Sequence, residues 1–169
     1  AATVLEAVSV LREQGWDIDD EAVESGLYSV AWPARFEVLH TDDPWFVLDG
    51  GHNPQCAAAL RECLEHYFPD SKRVALVGVL KDKDYKSIAA TLAPLFDACV
   101  CVTPPSERAL PAEELAELFK DSCREVCVAG TVEDGVDLAR DIAQEQDAMV
   151  CAFGSLYICG QIRSCFGLR

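Results

Sequence analysis

Short apolar runs alternate with stretches of helical periodicity from residue 36 to the end of the chain. Strands are predicted at 36–40, 45–49, 73–79, 98–103, 125–129 and 148–153, with a turn at 41–44. Helices are predicted at 54–68, 86–96, 111–120 and 132–145, and a last helix begins at Ser155. Because the strands are apolar on both faces, this alternation predicts a mostly parallel sheet covered by helices on both sides.

The predicted fold is therefore an α/β, Rossmann-like three-layer sandwich with about six strands. The first two strands are joined by a short turn, so they form a hairpin that adds an antiparallel strand at the edge of the sheet. In open sheets of this kind, ligands bind beyond the carboxyl ends of the strands. We therefore expect the residues that follow each strand to carry the function.

Residues 1–30 predict two additional helices. Gly15 ends the first, and Asp19 or Asp20 caps the second. Two helices this short cannot bury their apolar faces alone, so they are expected to belong to a preceding domain or to lean on residues 31–169. The chain has no initial Met and opens within a helical pattern, which suggests a part of a longer protein.

The charge balance excludes several kinds of partner. Fourteen Lys and Arg stand against 29 Asp and Glu, a net charge of −15. This argues against nucleic acid and against an anionic membrane surface, which both need a basic face. No apolar run approaches the ~18–20 residues that span a bilayer, and the first residues lack the basic region of a signal peptide. A polyanionic substrate would need local positive charge, which makes each loop Arg and Lys informative.

The nine cysteines favour free thiols in a reducing cytoplasm. Their number is odd, and no Cys-x-x-Cys pair occurs. Most lie in apolar runs or on apolar helix faces, where Cys packs as a small hydrophobic residue. Their spacing gives no sign of a metal site, and none is expected.

Asp49 and His52 stand in the sequence DGGHNP, which follows the second predicted strand. The glycine pair lets a ligand approach the backbone, while Asp49 can accept from ribose hydroxyls and His52 can donate to phosphate. The same residues also fit a tight turn in which His52 and Asn53 only begin the helix. The chain contains neither a Walker A sequence nor G-x-G-x-x-G, so it lacks the usual means of holding a triphosphate alone.

Four other side chains near the strand ends have two interpretations each. Arg35 is a forked phosphate donor or a local partner of Glu37. Lys83 is either a ligand contact or part of a charge-balanced turn with Asp82 and Asp84, and Arg108 is either a ligand contact or a solvated loop charge. Ser155 is a helix cap or marks a helix N-terminus that suits a carboxylate.

These loops, in this order, resemble the folylpolyglutamate synthase/dihydrofolate synthase branch of the Mur ligase superfamily. The matching segments are WPARFE at 32–37, DGGHNP at 49–54, DKD at 82–84, RA at 108–109 and GSLY at 154–157. The family patterns W-P-G-R-x-E and D-G-A-H-N have Gly at position 34 and Ala at position 51, where this chain has Ala34 and Gly51. Residues 1–30 resemble the closing helices of the family's central ATPase domain, and residues 31–169 resemble its C-terminal glutamate-ligase domain.

The resemblance implies a parent enzyme that forms an amide bond with ATP and Mg. ATP would phosphorylate a carboxylate of folate or dihydropteroate, and L-glutamate would attack the acyl phosphate. The P-loop and the magnesium ligands would belong to the parent's N-terminal ATPase domain, so this chain alone is expected to be inactive. Arg35 would reach the phosphates, and Asp49 and His52 the nucleotide. Lys83, Arg108 and Ser155 would bind glutamate's carboxylates or the acyl phosphate.

Two alternatives stay open. A different Mur-type ligase would act on a peptidoglycan precursor, but the Trp-Pro-x-Arg and Gly-Ser-Leu-Tyr segments speak against it. The second alternative is a non-catalytic nucleotide-binding or interaction domain. A P-loop upstream in the parent gene would argue against this alternative. The sequence leaves undecided whether the parent has one or both folate activities.

Overall fold

The computed structural model describes residues 2–40 and 44–168. The chain divides into two compact units, Ala1–Pro33 and Ala34–Arg169. The first unit contains helices α1 (Ala2–Glu13) and α2 (Asp20–Ser29), neither of which has a buried residue. Gly15 follows α1 with a φ of 88°, and Asp19 caps α2 by accepting from the Ala22 N–H at 2.6 Å. Both predicted helices and their end signals are thus confirmed.

The second unit is built on a sheet of six strands. These are β1 (Glu37–His40), β2 (Phe46–Asp49), β3 (Lys72–Val77), β4 (Ala98–Cys101), β5 (Glu125–Val128) and β6 (Ala148–Phe153). Their order is β1-β2-β6-β3-β4-β5, and only the β1–β2 pair is antiparallel. The predicted parallel sheet with an antiparallel edge strand is confirmed. The turn predicted at 41–44 falls on residues of which all but Pro44 lie outside the described ranges.

Five helices cover the two faces of this sheet. They are α3 (Pro54–Tyr67), α4 (Tyr85–Leu92), α5 (Ala112–Glu117), α6 (Val132–Gln146) and α7 (Leu156–Cys165). Alternate strand residues point to opposite sides: Val77 and Cys151 pack with α3, α4 and α5, while Leu76 and Val150 pack with α6 and α7. Each fully buried aliphatic side chain contributes about 1.5–3 kcal/mol, so the two cores together hold the three layers.

Two helices are shorter than their predictions. The helix predicted at 86–96 ends at Leu92 because Pro94 follows, and Ala93–Leu95 forms a 3-10 turn instead. The helix predicted at 111–120 becomes Ala112–Glu117, since the N–H groups of Leu118 and Phe119 bond three residues back, at 3.1 and 3.0 Å. Such bonds tighten the last turn of a helix.

All nine cysteines are free thiols, and five of them are buried. Burial raises the pKa of Cys123 and Cys159 to about 11, and it also raises the pKa of Cys99 and Cys151. Thiols that stay protonated are poor nucleophiles, which fits the predicted role of these residues as core packing. Within residues 2–40 and 44–168, no helix has both the length and the apolar character needed to cross a membrane.

Candidate active site at the carboxyl edge of the sheet

The loops that follow β2, β3, β4 and β6 meet at one edge of the sheet and enclose a small cavity, which we call the edge pocket. Its volume is about 190 Å³. Leu80 and Leu156 form its apolar wall. Its polar lining consists of His52, Lys83, Arg108, Ser155 and Tyr157. Four of the six side chains proposed from the sequence are therefore brought together.

Ser155 lies at the start of α7 and is only 2 % exposed. Its Oγ accepts from the Tyr157 N–H at 3.1 Å, so Ser155 caps the helix. The preceding residue, Gly154, has a φ of 109° and approaches the Gly78 carbonyl so closely that a Cβ would lie 2.7 Å from its oxygen. The cap interpretation is thus correct, and the same turn also places the residue on the edge pocket.

Arg108 is exposed, but it is held in place. Its Nη1 donates to Asp82 Oδ2 at 3.0 Å, and its Nη2 lies 3.4 Å from the Tyr157 hydroxyl oxygen. The hydrogen bond with Tyr157 and the negative charge of Asp82 raise the pKa of Arg108. Arg108 is therefore a fixed cation at the mouth of the pocket rather than a freely solvated loop charge.

Lys83 is half-buried on the pocket wall. The two aspartates beside it are used elsewhere, because Asp82 pairs with Arg108 and Asp84 caps α4 by accepting from the Ser87 N–H at 3.2 Å. In the part of the chain that the structure describes, no carboxylate lies within ion-pair distance of the Lys83 ammonium. Its charge is available to an anionic ligand.

His52 faces the edge pocket from the loop after β2. Its Nδ1 lies 3.0 Å from the Gly50 carbonyl oxygen, and a carbonyl can only accept, so Nδ1 carries the hydrogen. Neutral His52 then has Nε2 as its free acceptor, and protonated His52 has a second donor there.

Asp49 does not line the edge pocket, and its carboxylate instead accepts hydrogen bonds from nearby backbone N–H groups. Its Oδ1 accepts from the Gly51 N–H at 2.7 Å, and its Oδ2 accepts from the Phe36 N–H at 2.9 Å. A carboxylate has about four acceptor positions, so two remain for a ligand. The predicted nucleotide contact of Asp49 stays a prediction.

Arg35 is exposed, and its guanidinium lies over the loop after β2, with Nη1 3.2 Å from the position of a Cβ on Gly50. The alternative that Arg35 pairs with Glu37 is wrong, because Glu37 forms its ion pair with Arg163. Across residues 2–40 and 44–168, no acidic side chain pairs with Arg35.

Sequence reasoning gave no role to Tyr157 or Leu156, although both stand in the quoted GSLY segment. Leu156 packs so closely over Gly50 that a Cβ there would lie 2.3 Å from its Cδ2. Their position could have revealed them, because both directly follow Ser155 at the end of a strand. The first turn of a helix faces the same ligand site as the residue that caps it.

A larger hollow of about 790 Å³ lies near the amino ends of β3 and β6. Aromatic rings, including those of Trp45 and Phe68, line it together with Asp70 and Asp147, and no Lys or Arg is among its described lining residues. The two carboxylates make this hollow unsuitable for an anionic substrate, so the smaller edge pocket is the better candidate site. Among the described residues, no group of three or more His, Cys, Asp or Glu is arranged to hold a metal ion.

The fold is an open α/β domain with a candidate anion-binding pocket at the carboxyl edge of its sheet, and comparison with known proteins identifies its family. Residues 34–156 match the family model described as Mur ligase, glutamate ligase domain. The chain therefore belongs to the Mur ligase family.

Within that family the chain is similar to folate-related synthases. It is 34 % identical over 166 residues to a dihydrofolate synthase/folylpolyglutamate synthase of Mycobacterium tuberculosis, covering 89 % of this chain and 34 % of the relative. It is 36 % identical over 157 residues to a probable bifunctional folylpolyglutamate synthase/dihydropteroate synthase of Halobacterium salinarum, covering 92 % of this chain and 19 % of the relative. The chain thus spans about a third or less of the length of these relatives.

Solved structures give the same result. The M. tuberculosis folylpolyglutamate synthase complexed with ADP and AMPPCP superposes with a TM-score of 0.87 at 32 % identity, over 98 % of this chain and 39 % of that one. The bifunctional Yersinia pestis enzyme complexed with AMPPNP and Mn gives a TM-score of 0.82 at 29 % identity, over 96 % and 38 %.

Proposed function

We propose that the chain is the glutamate-binding domain of an ATP-dependent ligase that adds L-glutamate to folate or dihydropteroate through an acyl phosphate. The observation that supports this is the edge pocket, which combines two cationic side chains with the start of α7. Its volume of about 190 Å³ is below the ~300–1,000 Å³ of pockets for drug-sized ligands, so it suits an amino acid rather than a folate.

Glutamate brings two carboxylates and one ammonium group. Lys83 and Arg108 can each neutralise a carboxylate, and the N–H groups at the start of α7, behind Ser155, favour negative charge. Tyr157 keeps Arg108 directed toward the pocket. The acyl phosphate would lie at the open side of the pocket, within reach of the same charges.

Arg35, Asp49 and His52 are assigned to the nucleotide side of the same edge. Arg35 has no acidic partner in the described ranges, so its forked donor can turn to a phosphate oxygen and strengthen its contact as charge develops during transfer. Among the described residues, no group of His, Cys, Asp or Glu is arranged to hold magnesium. Its ligands, the P-loop and the folate site would come from other parts of the parent chain.

Residues 1–30 would be the closing helices of the parent's ATPase domain, and residues 31–169 its C-terminal glutamate-ligase domain. The apolar side chains of α1 support this, since Val4, Leu5 and Val10 are each at least 44 % exposed and gain most from a partner surface. The compact units divide after Pro33, three residues beyond the boundary proposed from sequence.

The test is steady-state kinetics of the full-length parent enzyme. Arg108→Ala should raise the KM for glutamate by about 10-fold or more, with a much smaller change in the KM for ATP, because a charge-assisted hydrogen bond is worth ~1.5–3 kcal/mol. Arg61→Ala is the matched control: Arg61 is similarly exposed and also pairs with a carboxylate, Glu65, but lies on α3. Equal glutamate kinetics in both variants would contradict the assignment.

The 169-residue chain by itself should neither hydrolyse ATP nor add glutamate to folate, since its sequence has no P-loop. Turnover comparable to that of a full-length homologue would overturn the assignment of ATP chemistry to the rest of the parent.

A further inference from the structure

Arg35 is displayed from an unusual stretch of backbone. The residues on either side of it, Ala34 and Phe36, have φ angles of 56° and 44°. Non-glycine residues in this left-handed region cost about 1–3 kcal/mol each and persist only where surrounding contacts hold them. The contacts that hold residues 34–36 therefore decide where the Arg35 side chain goes.

Three hydrogen bonds fix the backbone of this segment. The Ala34 N–H donates to Glu37 Oε2 at 2.8 Å, and the Ala34 carbonyl accepts from the Gly50 N–H at 2.8 Å. The Phe36 N–H donates to the Asp49 carboxylate at 2.9 Å. Ala34 is only 3 % exposed, whereas Arg35 is exposed and its Nη1 donates back to the Ala34 carbonyl at 3.3 Å.

Glu37 has a second contact that reaches across the domain. Its Oε1 forms an ion pair with Arg163 of α7, and the two side chains are only 22 % and 13 % exposed. A pair this sheltered is screened little by solvent, and it holds a fixed geometry. One carboxylate thus joins the Arg35 segment to the helix that begins beside Ser155, at the edge pocket.

We propose that Glu37 is a positioning residue for the ligase reaction: it sets the location of the Arg35 guanidinium relative to the start of α7. This rests on the proposed function, in which Arg35 acts on the phosphates and α7 borders the amino-acid pocket. The reaction needs the transferring phosphoryl group and the attacking amine in one arrangement. A carboxylate that ties the two sides together keeps Arg35 at the correct distance.

Replacing Glu37 by Gln removes one negative charge beside Arg163 and leaves one acceptor oxygen where the glutamate side chain has two. Glu37→Gln in the full-length enzyme should lower kcat for ADP formation by about 10- to 100-fold, with the KM for glutamate little changed, because a misplaced group acts mainly on the transition state. Glu133→Gln is the matched control, since Glu133 also contacts α7, through Gln161 at 3.2 Å, without touching residues 34–36. Its kcat should stay at the wild-type value.

The decisive readout is a double-mutant cycle with Arg35→Ala. If Glu37 acts through Arg35, then Glu37→Gln should cause no additional loss of kcat in the Arg35→Ala enzyme. A loss of equal size in both backgrounds would mean that Glu37 only supports the fold, and it would overturn the proposal. If Glu37→Gln does not accumulate as folded enzyme, Glu37→Asp, which keeps the charge but shortens the reach, takes its place in the cycle.

The outcomes also separate this inference from the function on which it rests. Normal kcat in Glu37→Gln beside a low kcat in Arg35→Ala would refute the positioning role and leave the proposed function standing. Normal kcat in Arg35→Ala would refute the positioning role together with the assignment of Arg35 to the phosphates, because no function of Arg35 would remain for Glu37 to support; the glutamate assignment would still be judged by Arg108→Ala.

Discussion

Gly154 is the position where the structure makes the sharpest prediction about stability. Its φ is 109°, and a Cβ would lie 2.7 Å from the Gly78 carbonyl oxygen and 2.8 Å from Val79 Cγ1. The left-handed backbone costs a non-glycine residue about 1–3 kcal/mol, and relief of the clash costs about 1–3 kcal/mol more. Alanine also restricts the unfolded chain more than glycine does, which favours the folded state by about 0.4–1 kcal/mol. Gly154→Ala should therefore lower the free energy of unfolding by about 1–6 kcal/mol.

The assay is calorimetric or circular-dichroism melting of the 169-residue chain. A loss of this size corresponds to a Tm lower by roughly 2–24 °C for a protein of about 150–250 residues. Gly160→Ala is the matched control, because Gly160 lies within α7 and a Cβ there meets nothing within 4 Å. It should stabilise the helix by about 0.5–1 kcal/mol. If both variants shift the Tm in the same direction by similar amounts, the reasoning from backbone geometry is refuted.

Three other predictions concern the whole domain. Stability should fall as pH rises from about 9 to 11, because burial raises the pKa of Cys123 and Cys159 to about 11 and the unfolded thiols lose their protons first; a flat Tm over this window would contradict that. With a net charge of −15, the chain should gain Tm between about 0.01 M and 1 M NaCl, as the Debye length falls from about 30 to about 3 Å, and a constant Tm would refute the repulsion argument. Arg73→Met should lower the free energy of unfolding measured in urea by about 1–3 kcal/mol, because Arg73 is 9 % exposed and donates to the Phe68 carbonyl at the end of α3. An unchanged urea midpoint would show that this hydrogen bond is not needed for stability.

Much of the fold was predictable because it depends on local pattern. Apolar runs gave the six strands, and the Asn53-Pro54 pair gave the start of α3, where Asn53 accepts from the Cys56 N–H at 2.8 Å. The strand order was not predictable, since the pairing of β6 between β2 and β3 depends on contacts between residues about 75–100 positions apart.

The candidate site was predictable only in part, for the same reason. Strand ends identified Lys83, Arg108 and Ser155, because the carboxyl ends of parallel strands share one edge. The sequence pattern could not predict which side chains contact these residues, because those side chains come from distant segments of the chain. Glu37 precedes Arg163 by 126 residues, and no local pattern reports an ion pair at that separation.

The charge distribution shows how an acidic chain can still hold an anionic substrate. The net charge of −15 belongs to the whole chain, whereas Lys83 and Arg108 line the edge pocket and Arg35 lies over the neighbouring loop after β2. The aspartates at that edge are bound to other groups: Asp49 accepts from two backbone N–H groups, and Asp82 pairs with Arg108, so neither forms an ion pair with Arg35 or Lys83. Salt screens charges that lie more than ~8–10 Å away, so the nearby cations dominate the potential at this edge. This edge is therefore locally attractive to phosphate and carboxylate groups. Charge neutralisation is the part of the proposed acyl-phosphate chemistry that such an edge would supply.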